Sequence, residues 1–220
     1  MHTKITILAG HYGSGKTTFA VNYAMHLARE FPRVALCDLD IVNPYFRTAD
    51  HARILADAGV QLVSSAFANT AVEMPWAPVE VRAAFDDPDL RSVIDLGGDE
   101  RGALAIGRYA KKLAERNDMQ MWMVVNPFRP LSRNVEDLLS YVQEIEQAAR
   151  LRFTGLVCNP NIGAETKAEH VREGYAVTAQ LSEKLGLPIV MTAVMQGIDV
   201  DVPDEKFVVT RHESRFDGSF

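Results

Sequence analysis

Residues 5–27 read ITILAGHYGSGKTTFAVNYAMHL, and this stretch decides the fold. Ile5–Ala9 is a short aliphatic, β-branched run of strand character. Residues 10–15 form a loop with three glycines. From Lys16 onward, Phe19, Tyr23, Leu27 and Phe31 recur at the four-residue spacing of one helix face, and Pro32 closes it. Loop and first turn satisfy GxxxxGK[ST] through Gly10, Gly15, Lys16 and Thr17, with Gly13 as an additional glycine. Between a strand and a helix, each residue type has a chemical task. The glycines let successive backbone N–H groups curl round an anion, and the helix N-terminus adds its positive dipole end. The lysine reaches the terminal phosphates and the threonine hydroxyl suits Mg²⁺. Gly10, His11, Tyr12, Gly13, Ser14, Gly15, Lys16, Thr17 and Thr18 are therefore the candidate phosphate-binding residues.

Outward from this core the alternation continues. Apolar runs predict strands at 34–39, 60–63, 92–96, 119–125, 153–158 and 189–194, and apolar periodicity predicts helices at 16–30, 47–58, 101–115, 132–149 and 166–185. Residues 64–89, punctuated by Pro75, Pro78 and Pro88, are the least regular, with a short helix near 79–85. From Gly197 the chain is polar apart from 207–209, an edge strand or a loose tail. Fully apolar runs separated by helices imply parallel strands buried on both faces. The expected fold is α/β: a doubly wound, mostly parallel sheet with helices on both faces. Without an internal repeat or low-complexity linker, 1–220 is expected to be a single nucleotide-binding domain. Residues 64–90 would then face a substrate or partner.

Composition narrows the function classes. The 220 residues can bury a full core without staples, and the only two cysteines, Cys37 and Cys158, sit in apolar runs, which implies reduced thiols and a cytoplasmic protein. The six histidines show no i,i+3 or i,i+4 pair, so a structural zinc site is not expected. No stretch approaches 18 apolar residues, and the N-terminal run is too short for a signal peptide or membrane span. A net charge of −6 argues against broad attachment to nucleic acid or anionic lipid. The basic group Arg108, Lys111, Lys112 and Arg116 is flanked by Glu115 and Asp118 and reads as a solvated face. Trp122 belongs to a core strand, whereas Trp76 can be an interface anchor or a loop plug.

Two further stretches supply carboxylates. SVIDLGG at 92–98 puts Asp95 at the end of a buried strand, placed to hold Mg²⁺ through water beside Thr17, and Gly98 lets a backbone N–H approach a γ-phosphate. CDLDIVNP at 37–44 ends a strand with Asp38 and Asp40 at alternate positions, hence on one side of the extended chain. They suit metal-bound waters and an attacking water, or else serve as turn and N-cap residues. Asn43 and Pro44 follow as turn residues, and Arg47 can face phosphate or sit on a helix surface.

Taken together, GHYGSGKT, DLD and DLGG resemble the MinD/ParA/CobQ-type branch of P-loop NTPases over about residues 4–195. DLDIVNPYFR, IDLGGDERGALAIGRY, VVNPFRPL and NPNIGAET are similar to a group of bacterial MinD/ParA-like ATP-binding proteins. The resemblance implies a mostly parallel sheet, ATP with Mg²⁺, and nucleotide-dependent homodimerisation. It also implies roles: Lys16 on phosphate, Thr17 and Asp95 on magnesium, Asp40 orienting the attacking water within the metal shell, and Asp38 beside that shell. One position departs. The family's KGGxGKT carries an additional lysine that reaches the partner subunit's nucleotide, whereas this chain has His11 followed by Tyr12. An imidazole is shorter and, with an ordinary pKa near 6.5, only partly charged at neutral pH. His11 can replace the lysine, stack on nucleotide or be a plain loop residue. For the base, residues 158–162 retain an asparagine but lack the aspartate of the guanine-reading N-K-x-D, so adenine is expected. Asn159 matches the family's adenine-contacting asparagine, Asn126 ends the preceding strand in a similar way, and loop 195–199 would cover the base.

The leading expectation is a slow ATPase, releasing ADP, that switches an unidentified protein partner. The alternative is an ATP-dependent small-molecule kinase or ligase with a pocket built from 64–90. Metal-insertion relatives are disfavoured for want of a Cys-x-Cys or histidine-rich site. DNA-partitioning or membrane-positioning relatives are disfavoured because the C-terminal RHESRFDGSF has little apolar face.

Overall fold

The computed structural model describes residues 3–39, 51–64 and 84–212. Asp40, Asn43, Pro44, Arg47 and Trp76 lie outside the described residues, as does most of the 64–90 segment.

Eight strands form one sheet: β1 (Ile5–Ala9), β2 (Val34–Leu39), β3 (Val60–Ser64), β4 (Arg91–Leu96), β5 (Met119–Val125), β6 (Gly155–Cys158), β7 (Ile189–Met195) and β8 (Lys206–Val209). Their order is β3-β2-β4-β1-β5-β6-β7-β8, and every neighbouring pair is parallel. The described helices are α1 (Lys16–Leu27), α2 (Ala52–Asp57), α3 (Glu100–Gly107), α4 (Ala110–Ala114), α5 (Val135–Ala149) and α6 (Ala168–Leu185). Residues 207–209 thus belong to an edge strand rather than a loose tail.

Strand alternation sends side chains to two cores. Ile5, Ile7 and Ala9 join Ile94, Leu96, Met121 and Met123 beneath α3 and α5, through Ile106, Leu138, Val142 and Ile145. Leu8 faces the other way, with Leu36, Val93, Val124 and Trp122, toward Phe19, Ala20 and Tyr23 of α1. Trp122 is a core residue whose ring centroid lies 5.3 Å from that of Tyr23. With both faces covered, β1 is apolar at every position except Thr6, which is itself buried. Burial pushes the thiols of Cys37 and Cys158 up to about 12, so both remain protonated at neutral pH.

Two differences from the sequence reading have local causes. The helix expected over 101–115 is broken into α3 and α4 at Arg108 and Tyr109, where α3 runs against the backbone of α5. Tyr109 there turns its ring onto Phe85, 5.1 Å away between centroids. The helices expected from 132 and 166 begin instead at Val135 and Ala168, each after a 3-10 turn, Pro130–Ser132 and Gly163–Glu165. Proline at the first of these turns lacks an N–H to donate, and Asn134 then caps α5 by accepting from the Asp137 N–H. In the basic group, Lys112 pairs with Asp86 and Arg116 with Asp118.

At the α3–α5 crossing a Cβ on Gly107 would stand 2.5 Å from the Ala148 carbonyl oxygen. Gly107→Ala is therefore expected to lower unfolding stability by about 1–3 kcal/mol, the usual cost of overpacking, despite the better helix propensity of alanine. A denaturant melt that gave the variant equal or greater stability would contradict this packing.

Candidate functional site

In open parallel sheets, ligands gather at the carboxyl ends of the strands where the winding direction changes. Here β1 lies between β4 and β5, so the carboxyl ends of β2, β4, β1, β5 and β6 line one edge. The loop after β1 is the glycine-rich one. Gly13 and Gly15 adopt φ of 78° and 87°, a region that side chains disfavour and that folds the chain back into the start of α1. Gly15 is the N-cap of α1 and makes no side-chain cap, and the first turn holds no acidic residue. By contrast, α3 and α5 are capped by Asp99 and Asn134. The positive end of α1 is thus left facing the concavity of the loop, as anion binding requires. Ser14 Oγ is buried there without a hydrogen-bond partner among the described residues. The structure fits a phosphate group in that cradle.

Lys16 is only 7% exposed, and its Nζ donates to the His11 carbonyl at 3.3 Å, so the ammonium lies back over its own loop. The Thr17 hydroxyl donates to Asp95 Oδ2 at 2.6 Å, joining α1 to the end of β4. Asp38 stands directly opposite Asp95 in the β2–β4 register, and both are buried on the α1 side of the sheet. Neighbouring strands run about 4.8 Å apart, so two carboxylates and a hydroxyl crowd one spot. Such hard oxygen donors suit Mg²⁺, which takes one or two carboxylates and fills its remaining positions with water and phosphate. The donor set therefore fits that ion. Gly98 lies hard against the phosphate loop: a Cβ there would be 2.8 Å from the Tyr12 nitrogen and 3.1 Å from the Gly10 oxygen. Only glycine allows the DLGG turn to approach so closely. Thr18 sits in the first turn of α1, where its carbonyl accepts from Asn22 at 2.8 Å.

His11 turns inward. Its ring packs on Tyr141 of α5, with centroids 3.9 Å apart and planes tilted by 43°, its Nε2 is buried without a described partner, and burial followed by the Lys16 charge lowers its pKa, against an opposing pull from Asp137. Tyr12, in contrast, is 62% exposed. The two asparagines separate clearly. Asn159 donates through Nδ2 to the Ser14 carbonyl at 2.7 Å, directly on the phosphate loop. Asn126 spends its side chain on neighbouring turns, donating to the Asn161 carbonyl at 2.9 Å and accepting from the Phe128 N–H at 3.2 Å. Two residues of the site were missed in the sequence reading. Tyr141 lies within the helix expected over 132–149 without being singled out, and Arg129, whose Nε donates to the Gly13 carbonyl at 2.8 Å, lies within VVNPFRPL. Only that local motif pointed to it.

This fold and loop define a P-loop nucleotide-binding domain of the α/β class. Residues 5–187 match the family described as the CobQ/CobB/MinD/ParA nucleotide binding domain, and the chain belongs to that family. No curated protein sequence matches it significantly. Among solved structures, FtsY from Mycoplasma mycoides is similar at a TM-score of 0.60 and 17% identity, covering 88% of this chain and 60% of that one. The cell division protein FtsY from Thermotoga maritima is similar at 0.60 and 17%, covering 87% and 62%. The signal recognition particle receptor FtsY from Elizabethkingia anophelis, solved with GDP, aligns at 0.56 and 19%, covering 88% and 58%. The chain therefore spans about 60% of the length of these structures, and at such identities they share its fold. Among the described residues no helix is long and apolar enough to cross a membrane.

The lowered pKa of His11 has a sign that can be checked. The unfolded chain takes up a proton near pH 6.5 that the folded chain accepts only at lower pH, so stability is full above that value and falls as pH drops through it. His11→Phe keeps a ring against Tyr141 and removes the proton. Between pH 7.5 and 5.5 the native chain is expected to lose more melting temperature than His11→Phe, and equal losses would refute the assignment.

Proposed function

We propose that the chain binds Mg-ATP at the phosphate loop and acts, within a single nucleotide-binding domain, as a slow ATPase that switches a protein partner. The observation that carries this reading is the 2.6 Å bond from Thr17 to Asp95. It links the first turn of α1, where phosphate would lie, to the strand whose next residues are the Gly97–Gly98 turn and the Asp99 cap of α3. A metal held at Thr17 and Asp95 would alter that link when nucleotide changes, and the turn would pass the change to α3.

In this reading Lys16 leaves the His11 carbonyl for the terminal phosphates, the Gly98 N–H approaches the γ-phosphate, and Asp38 with Asp40 orders the attacking water. Bound Mg²⁺ would supply charge neutralisation across the phosphate oxygens. Asn159 has one N–H and its amide oxygen beyond the bond to Ser14, groups that suit an adenine edge. The absence of an aspartate from 158–162 favours adenine over guanine, although the GDP complex belongs to a protein of the same fold. Homodimerisation on nucleotide and a cytoplasmic location complete the proposal.

Equilibrium binding tests it directly. The native chain is expected to bind Mg-ATP more tightly than Mg-GTP, and Lys16→Ala to bind it roughly ten- to a hundredfold more weakly, the worth of a charged hydrogen bond or two. Thr17→Val is expected to abolish the gain in affinity that Mg²⁺ gives. Preference for GTP would overturn the adenine reading, and full affinity in Lys16→Ala would overturn the site.

A further inference from the structure

Beyond β5 the chain turns through Asn126, Pro127, Phe128 and Arg129 into the 3-10 turn at Pro130–Ser132. Because β5 is the neighbour of β1, this turn emerges beside the phosphate loop. It is firmly held. Asn126 ties it to the Asn161 carbonyl at 2.9 Å, the Arg129 N–H donates to the Asn126 carbonyl at 3.1 Å, and the Ser132 N–H donates to the Arg129 carbonyl at 3.0 Å.

From that platform Arg129 reaches across the loop. Its Nε donates to the Gly13 carbonyl at 2.8 Å, and its Cδ and Nε stand 3.7 Å from the place a Gly13 Cβ would occupy. Among the described residues no carboxylate forms an ion pair with Arg129. A guanidinium has five N–H donors, and the neutral carbonyl takes one without cancelling the charge. An arginine held in this way at the rim of an anion-binding loop is poised for the bidentate contacts that guanidinium makes with phosphate. His11 is less well placed for that charge, since its half-buried ring packs on Tyr141.

We propose that Arg129 is the second cation of the phosphate site, supplied within the same chain: Nε grips the loop at Gly13 and the terminal nitrogens meet phosphate oxygens of the bound nucleotide. The inference rests on the nucleotide reading above but concerns the phosphates alone, so it stands whether the base is adenine or guanine. It also gives the site a second positive charge without a partner subunit.

The test is equilibrium binding of Mg-ATP and Mg-GTP to the native chain and to Arg129→Lys, Arg129→Gln and Arg129→Met, with melting temperatures measured without nucleotide. Gln keeps a donor for Gly13 but no charge, Lys keeps the charge, and Met keeps neither. Expected is a loss of about tenfold or more in Gln and Met, the worth of one charge-assisted hydrogen bond, with Lys, which keeps the charge but not the fork, between native and Gln, and with the nucleotide-free melting temperatures of Lys and Gln unchanged. Native affinity in Gln and Met overturns the proposal. So does weakening confined to Met, which assigns Arg129 to holding Gly13; so does equal weakening of Lys and Gln, which leaves the charge no role; and so does weakening of Gln that follows lost melting temperature. A native chain that binds neither nucleotide overturns this proposal together with the nucleotide reading, whereas native binding with native-like Gln overturns the Arg129 role alone.

Discussion

The arrangement at the carboxyl edge of the sheet depends on one constraint: α1 starts at a left-handed glycine with no side chain to cap it. A helix N-terminus exposes N–H groups that need partners, and most helices meet the need locally. Here Asp99 and Asn134 do so for α3 and α5, while α1 leaves the need to whatever lies in the loop. The consequence is electrostatic. A buried lysine and two buried carboxylates are gathered within reach of the same helix end. Charges of both signs are thus held close together at the end of that helix, where a phosphate and its cation would each meet an opposite charge.

The phosphate loop is also clamped from outside. Arg129 and Asn159 donate to the adjacent carbonyls of Gly13 and Ser14, and they come from turns after two neighbouring strands, β5 and β6. Asn126 joins those two turns to each other through the Asn161 carbonyl. The Ser14 N–H, in the same peptide as the Gly13 carbonyl, closes the loop on the His11 carbonyl at 3.0 Å, so the loop is organised before anything enters it, and less ordering cost falls on binding.

Much of this was legible in the sequence because it depends on local periodicity. The strand, glycine loop and helix of residues 5–27 are each defined by their own neighbours, as is Asp95 at the end of a buried run. What escaped depends on lateral order. Nothing in the spacing of VVNPFRPL says that β5 will lie beside β1, yet that adjacency alone brings Arg129 to Gly13. The two asparagines look alike as strand-ending residues and differ only in which loop each reaches. His11 likewise reads equally as a lysine substitute, a ring on nucleotide or a plain loop residue, and only α5 shows that Tyr141 lies against its ring. The break between α3 and α4 is of the same kind, since Gly107 is an ordinary helical glycine until the Ala148 carbonyl comes against it.

These contacts also make the two sides of the loop unlike. On the β5–β6 side the loop is fixed by hydrogen bonds to side chains that are themselves braced. On the β4 side it meets Gly98 through bare backbone approach, and Thr17 meets Asp95 through a single hydroxyl. A change in the bound phosphate would find the first side resistant and the second free to respond, because one hydrogen bond and a glycine contact are easily exchanged whereas a braced pair of turns is not. The response would then run into α3, whose N-cap follows Gly98 in the chain. From there it would reach α5, against which α3 packs. If nucleotide binds as proposed, the placement of the clamps would direct its signal away from β6 toward the α3–α5 face.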